Sequence, residues 1–205
     1  MSTMTLRARY QLAAPTSLDP ATSALLLVDF QHEFFGGALP IPDGAAAVAH
    51  AARLLRWART HGLAVVHVRQ VAARSDSPLF APGSPAIAIV PALAPESGEP
   101  VVTKAMAGAF TRTELDAMLR ARGVTTLVIA GLMTHLAVDC SARDAAVLGY
   151  RVIVASDATA TRDLRLGDDV LDRATVQRVA LAALADRFAD VMTSDAIVEL
   201  PISGT

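Results

Sequence analysis

Short apolar runs alternate with amphipathic segments along most of this chain. Continuous apolar runs bounded by turn residues are typical of strands that are buried on both faces of a sheet. The segments between them repeat apolar positions with a helical period, and several of them end at a glycine that suits a helix C-terminus. The predicted strands are Ala24–Val28, Ala64–Arg69, Val101–Lys104, Leu127–Ala130, Tyr150–Ala155 and Ala189–Met192.

Helices are predicted between these strands, which gives the order of an α/β protein. They run from an Asp43 cap to Thr60, from Glu114 to Arg122 after a Thr113 cap, from the turn at Gly131 to Gly149, and from Val170 to Phe188. Strands that alternate with helices form a parallel sheet with right-handed crossovers. The pattern therefore predicts one domain, residues 22–205, with a doubly wound parallel sheet and helices on both of its faces. Residues 1–21 contain two proline breakers and are predicted to form an N-terminal arm.

The segment from Gln70 to Pro100 follows neither period and is rich in proline. A loop of this length inside a compact domain is usually a lid, a binding loop or an interface arm. We expect it to help shape a binding pocket.

Length and composition bear on the size of the core and on the oligomeric state of the protein. The chain has 205 residues, of which 53% are hydrophobic and 19% charged, so it is long enough for one full core and too apolar to be disordered. The high apolar content, together with the proline-rich loop, predicts a buried interface in a homodimer or homotetramer.

Charge and cysteine usage exclude several classes of protein. The formal net charge is −2 without a basic run, so no nucleic-acid partner is predicted. The single cysteine excludes a disulfide framework. Neither a signal peptide nor an apolar run of membrane-spanning length is found, so we predict a cytoplasmic protein without a membrane partner.

Three candidate chemical features follow predicted strands. Asp29 follows the first strand, Lys104 ends the third, and the turn from Gly131 to His135 follows the fourth. Ligands of parallel α/β sheets bind outside the carboxyl ends of the strands, next to helix N-termini. We therefore expect Asp29, Lys104 and this turn to converge, although each charged residue taken alone is more often a solvated surface group.

The stretches around these features resemble the isochorismatase-like hydrolases, also called the cysteine hydrolase superfamily. The resemblance runs from about Ala24 to about Asp195 and is carried by LLLVDFQHEFFGGALPIPDG, VVTKAMAGAF, VIAGLMTHLAVDCSARDAAVLGYRV and DATATRD. It implies a Rossmann-like fold and an Asp–Lys–Cys triad that hydrolyses C–N bonds of small amides. By position, Asp29 and Lys104 match the aspartate and the lysine of that triad.

The resemblance also implies an oxyanion hole in the turn after the fourth strand. The peptide Leu132–Met133 matches a cis bond that helps to shape this hole. The backbone N–H groups of Met133 and Ala137 would face the developing oxyanion. Nicotinamidase-type members carry a metal site of one aspartate and two histidines after the second strand. The residues Gln70–Asp76 contain no histidine, so we predict no metal and no cofactor.

The nucleophile position departs from the family pattern. Ala137 stands three residues after Thr134, where the family has its cysteine, and alanine has no nucleophilic atom. Four hypotheses explain this: an introduced Cys→Ala change, a natural homologue that binds ligand without turnover, a cysteine-independent hydrolase resembling isochorismatases that cleave a vinyl ether, or a nucleophilic Cys140. The last hypothesis is disfavoured, because one helical turn displaces a side chain by about 5 Å along the axis.

Substrate contacts are predicted from apolar and aromatic residues near the same loops. Phe34, Phe35 and Phe110 either form an apolar wall of the pocket or belong to the core. His135 either lines the pocket or lies on the surface. The predicted partner is a small-molecule amide substrate.

Overall fold

A parallel sheet of six strands forms the centre of the structure, a computed structural model that describes residues 4–204. The strands in chain order are β1 (Ser23–Val28), β2 (Ala64–Gln70), β3 (Val101–Lys104), β4 (Thr126–Leu132), β5 (Arg151–Ala160), β6 (Leu164–Leu166), β7 (Asp169–Leu171) and β8 (Asp190–Met192). The sheet order is β3-β2-β1-β4-β5-β8, and β6 and β7 form a separate antiparallel hairpin. The order reverses direction between β1 and β4, which is where doubly wound sheets place their ligands.

Helices cover both faces of this sheet. They are α1 (Leu6–Arg9), α2 (Gly44–His61), α3 (Leu115–Ala121), α4 (Asp139–Val147), α5 (Arg173–Arg187) and α6 (Ser194–Val198). Alternate residues of β1 point to opposite faces: Leu25 and Leu27 join the core under α2 and α6, whereas Leu26 joins the core under α3, α4 and α5. The predicted fold class, a single-domain doubly wound parallel sheet, is confirmed.

The helix predicted from Val170 to Phe188 begins too early. Residues 169–171 form β7 instead, and the hairpin turns at Gly167, whose φ of 60° favours glycine. The helix starts after Asp172, whose side chain accepts a hydrogen bond from the Thr175 N–H. Strand β5 also extends to Ala160, beyond its predicted end.

The described part of the N-terminal arm lies on the body of its own chain. It contains the short helix α1, which the sequence pattern did not predict. The Leu6 N–H donates to Asp186 of α5 at 3.0 Å, and Arg7 pairs with Asp190 of β8 at 2.7 Å. Residues 1–3 of the predicted arm lie outside the described residues.

Two short 3₁₀ turns, Pro85–Ile87 and Pro91–Leu93, give the long loop after β2 its shape. Its far end is held by Glu99, which accepts hydrogen bonds from Arg59 of α2 at 2.8 Å and contacts the buried His67 of β2 at 3.0 Å. Arg59 holds the pKa of Glu99 at about 2, well below its usual range. The loop is therefore fixed to the body as an ordered segment.

Several apolar side chains of the hairpin and of α5 are exposed: Leu166, Val170, Leu171 and Val179. Their exposure agrees with the predicted homodimer or homotetramer, which stays a prediction. Among residues 4–204, no helix combines the length and the apolar character needed to cross a bilayer.

Gly131 of β4 allows β1 and β4 to approach closely next to the candidate site. A Cβ at this position would lie 2.5 Å from the Val28 carbonyl oxygen. We expect Gly131→Ala to lower the free energy of unfolding by about 1–3 kcal/mol, the usual range for overpacking a core. Urea denaturation followed by circular dichroism measures this loss.

Gly36→Ala is the matched control for this substitution. Gly36 is exposed, and no atom lies within 4 Å of a Cβ built there. Its free energy of unfolding should stay within about 0.5 kcal/mol of the unaltered protein. Equal stabilities of the two variants would contradict the close approach at Gly131.

Candidate active site

Three neighbouring strands end at one polar cluster. Asp29 directly follows β1, Gln70 ends β2 and Lys104 ends β3. The Nζ of Lys104 lies 2.6 Å from Asp29 Oδ2, and it donates hydrogen bonds to Gln70 Oε1 at 2.8 Å and to the Met106 carbonyl oxygen at 3.2 Å. Asp29 and Lys104 are 3% and 2% exposed, so this is a buried ion pair. The predicted convergence of Asp29 and Lys104 is confirmed.

Burial changes the acidity of the Asp29 carboxyl group. Desolvation raises its pKa to about 6, although the neighbouring Lys104 ammonium acts in the opposite direction. Oδ2 contacts Lys104, whereas the buried Oδ1 has no hydrogen-bond partner among the described residues. A carboxyl group with a pKa in this range can both accept and return a proton near neutral pH.

Gln31 holds the end of β2 in place. Its side chain accepts the Gln70 N–H at 2.7 Å and donates to the Gln70 carbonyl oxygen at 2.8 Å and to the Ile87 carbonyl oxygen at 2.9 Å. Gln31 is fully buried. It therefore fixes the backbone of Gln70, whose side chain in turn contacts Lys104.

The turn after β4 brings Ala137 to this cluster. The Leu132–Met133 peptide bond is cis, as the resemblance implied. A π-helical turn, Thr134–Val138, follows and leads directly into α4. The Met133 carbonyl oxygen accepts the N–H groups of Leu136 at 3.1 Å and Val138 at 3.2 Å. This arrangement places the buried Ala137 at the start of a helix that faces Asp29 and Lys104.

A cavity of about 220 Å³ lies between these elements. Asp29, Lys104 and Ala137 all line it, which confirms that the three predicted positions converge. The walls are mostly apolar and come from the loop after β1, the long loop after β2 and the turn after β4. The remaining lining residues are Phe34, Leu39, Gln70, Leu79, Phe80, Ala107, Leu132, Met133 and Leu136.

Of the four predicted substrate-binding residues, Phe34 lines the cavity and contacts Phe80 edge-on, with ring centroids 5.4 Å apart. The other three do not line the cavity that the described residues form. Phe35 packs beside Gly44, the Phe110 ring lies 5.9 Å from the Tyr150 ring, and His135 turns its Nδ1 to Thr161. None of the three lines this cavity, so their role in substrate binding stays a prediction.

Cys140 does not line the cavity either. It lies within α4 and is half-buried. Burial and the nearby carboxylates of Asp139 and Asp144 raise the pKa of its thiol, which disfavours the reactive thiolate. Its position and its acidity both speak against the hypothesis that Cys140 is the nucleophile.

Sequence reasoning missed Gln70 and the loop residues Leu79 and Phe80. Gln70 stands at a strand end between those of Asp29 and Lys104, so the rule that found these two also applies to Gln70. The loop residues carried no such signal, because their position depends on tertiary contacts. Within the described residues, no group of three or more His, Cys, Asp or Glu is placed to hold a metal ion.

Comparison with known proteins identifies the family. The model of the isochorismatase domain matches residues 23–196, so the chain belongs to the isochorismatase family. A maleamate amidohydrolase of Pseudomonas putida is 37% identical over 157 residues, which cover 68% of this chain and 72% of the relative. A streptothricin hydrolase of Streptomyces noursei is 35% identical and covers 87% of this chain and 62% of its own length.

Solved structures agree with the family in fold. An isochorismatase from Pseudomonas putida KT2440 is 33% identical, with a TM-score of 0.87 over 96% of this chain and 100% of that chain. A cysteine hydrolase from Pseudomonas syringae pv. phaseolicola is 29% identical, with a TM-score of 0.84 over 91% of this chain and 97% of that chain. This chain thus shares its whole architecture with isochorismatase-family hydrolases.

Glu33 holds the cavity wall made by the long loop. Its buried carboxylate accepts the Ala38 N–H at 2.6 Å and the Phe80 N–H at 3.0 Å. Glu33→Gln removes the charge of the acceptor and leaves one acceptor oxygen for the two N–H groups. We expect the Phe80 amide to exchange with deuterium at least about tenfold faster, because a hydrogen bond to a charged group contributes about 1.5–3 kcal/mol. Hydrogen exchange measured by NMR detects this change.

The exposed Glu199 provides the control. In Glu199→Gln the exchange of the Phe80 amide should stay unchanged. The same exchange rate in both variants would contradict the anchoring role of Glu33.

Proposed function

We propose that this protein has the site of a small-molecule amide hydrolase of the cysteine hydrolase type, with alanine at the nucleophile position. The observation that carries the proposal is the Asp29–Lys104 ion pair, which lines the same cavity as Ala137 in the turn Thr134–Val138 that leads into α4. In the form described here, the site binds an amide without covalent turnover. An introduced and a natural alanine have the same chemical consequence.

The relatives support the choice of an amide as substrate. Two of them bear the names maleamate amidohydrolase and ureidoacrylate amidohydrolase, and the latter, from Methylobacterium radiotolerans, is 33% identical over 199 residues. A solved relative is named a cysteine hydrolase. Hydrolysis of an amide C–N bond is the reaction that the two amidohydrolase names have in common with the proposed site.

The chemistry follows from the placement of the groups around a cysteine at position 137. Ionised Asp29 takes the thiol proton, and the thiolate attacks the amide carbon. The N–H groups of Met133 and Ala137 stabilise the oxyanion. Asp29 then returns the proton to the leaving amine, which departs and leaves a thioester. Water, deprotonated by Asp29, hydrolyses the thioester and regenerates the thiol.

Lys104 acts on Asp29 rather than on the substrate. Its ammonium group forms an ion pair with Asp29 and donates hydrogen bonds to Gln70 and to the Met106 carbonyl oxygen. It keeps the carboxylate oriented and favours its ionised form against desolvation. Lys104 is therefore a positioning residue in this proposal.

Restoring the nucleophile should restore activity. Ala137→Cys is expected to raise the turnover of small amides by several orders of magnitude, since removal of a nucleophile in another covalent hydrolase lowered it by on the order of a million-fold. The rate of ammonia release from a panel of small amides measures the effect. Iodoacetamide should also modify the introduced thiol of this variant faster than it modifies Cys140, because a thiol beside a helix start is more ionised.

Two variants control this experiment. Cys140→Ser in the unaltered chain should change neither binding nor turnover, and Ala137→Cys combined with Asp29→Asn should lose the restored activity. Ordinary enzymatic rates on amides in the unaltered chain would refute the proposal that the missing nucleophile prevents turnover.

The pKa of Asp29 predicts a pH dependence for the Ala137→Cys variant. Asp29 must be ionised to accept the thiol proton, and its pKa is raised to about 6. The kcat/KM for an amide should therefore be low at pH 5 and rise as the pH passes through about 6, up to a plateau above it. Initial rates in buffers of constant ionic strength measure the profile; a flat profile between pH 5 and pH 7 would contradict the role of Asp29 as base.

A second candidate function uses the same carboxyl group as an acid. Below its raised pKa, Asp29 is protonated, and its Oδ1 has no hydrogen-bond partner among the described residues. A reaction that uses this group as an acid needs no cysteine. Such a group can protonate a vinyl ether, as in the isochorismatase-type reaction that the sequence resemblance implies as an alternative. Turnover of a vinyl ether by the unaltered chain, abolished by Asp29→Asn, would favour this function over amide hydrolysis.

A further inference from the structure

Among residues 4–204, no unpaired cationic side chain lines the cavity to bind a negatively charged substrate. Lys104 is the one basic side chain among the described residues that line it. An ammonium group has three N–H donors, and the three partners of Lys104 are Asp29, Gln70 and the Met106 carbonyl oxygen. A carboxylate on the substrate would therefore have to break one of these contacts to gain a counter-charge.

The same cavity contains a fixed negative group. Asp29 is ionised above a pH of about 6, and its Oδ1 is buried without a partner among the described residues. The Lys104 ammonium already offsets the charge of Asp29, so a second carboxylate near Oδ1 would add an uncompensated negative charge and would lose its hydration. The electrostatic environment of the cavity thus disfavours anionic ligands.

Besides the proposed oxyanion-hole N–H groups of Met133 and Ala137, two side-chain groups of the described lining residues remain available for an uncharged amide. Because an ammonium group only donates hydrogen bonds, Gln70 must turn its Oε1 to Lys104. The Nε2 of Gln70 is therefore the group that remains for a ligand in the cavity. No hydrogen bond of this Nε2 is found among the described residues. Asp29 Oδ1 can accept an amide N–H, and Gln70 Nε2 can donate to a carbonyl oxygen.

The rest of the wall suits an apolar acyl group. Phe34, Leu39, Leu79, Phe80 and Leu136 surround the space beyond the polar cluster. The volume of about 220 Å³ is small compared with the pockets of drug-sized ligands, which start at about 300 Å³. The size therefore fits a ligand with few carbon atoms.

We infer that the cavity selects uncharged primary amides of small apolar acids and rejects amides that carry a carboxylate. This inference rests on the proposed function and adds the substrate class to it. It separates this chain in specificity from a relative that is 37% identical and named for maleamate, the half-amide of a dicarboxylic acid.

A matched pair of ligands tests the inference. 4-Methylpentanamide and succinamate have the same amide end and carbon spacing, and they differ in an isopropyl group against a carboxylate. Calorimetry at pH 8 on the unaltered chain gives the two dissociation constants. We expect the neutral amide to bind at least about tenfold more tightly, since an unpaired buried charge is strongly unfavourable. The ratio of kcat/KM in the Ala137→Cys variant should follow the same preference.

The outcomes separate the inference from the proposed function. Equal binding, or tighter binding of succinamate, overturns the inference and leaves the amide hydrolase proposal in place. If neither amide binds at millimolar concentration and Ala137→Cys hydrolyses neither, both are overturned.

A cation added to the wall tests the physical reason for the preference. Leu79 lies in the long loop, half-buried, and tolerates a polar replacement better than a core residue does. Leu79→Arg is expected to strengthen succinamate binding about tenfold, whereas the uncharged Leu79→Gln should leave it weak. Unchanged succinamate binding in Leu79→Arg, or equal strengthening in Leu79→Gln, would overturn the electrostatic basis. The comparison of the two ligands on the unaltered chain decides the inference even if Leu79→Arg fails to fold.

Discussion

The buried ion pair between Asp29 and Lys104 is the constraint on which the rest of the site depends. Two charges removed from water are tolerated only when their geometry and their other hydrogen bonds are satisfied, and loss of one partner leaves an uncompensated buried charge. Here Gln70 and the Met106 carbonyl oxygen satisfy the remaining donors of Lys104. Because these groups follow three adjacent strands, the register of β1, β2 and β3 sets the geometry of the pair. The sheet thus fixes the position of the Asp29 carboxyl group relative to the Lys104 ammonium group.

The two sides of the cavity differ in how they are fixed. The polar side consists of strand ends and of the turn that carries Ala137, all of which are continuous with the core. The apolar side comes largely from loops, with Phe80 held by the carboxylate of Glu33 and by its contact with Phe34. The chemistry therefore rests on rigid elements, whereas the shape available to a ligand rests on segments that are anchored at a few points.

Sequence patterns predicted the strands of the central sheet, the sheet class and the convergence of Asp29 and Lys104 with the turn after β4, because each depends on local periodicity or on the rule that strand ends meet at one edge. The position of Ala137 was implied by the family resemblance. The hairpin of β6 and β7 was missed, since its strands are short and exposed and carry no apolar run. Whether Phe110 lines the cavity or belongs to the core could not be decided from the sequence, because an aromatic residue in a loop can pack in more than one direction; in the structure it does not line the cavity. The positions of loop residues such as Leu79 follow from long-range contacts that no local pattern contains.

The two anchors of the long loop have a consequence for how this protein can change. Glu33 holds the loop beside the cavity, and Glu99 ties its far end to Arg59 and His67. Between β2 and Phe80, residues 73–76 are exposed. Insertions or replacements there would change the connection between β2 and the cavity-lining Leu79 and Phe80 without touching the strands or the ion pair. Substitutions in this one segment can therefore change the ligand specificity of the protein while its hydrophobic core stays the same.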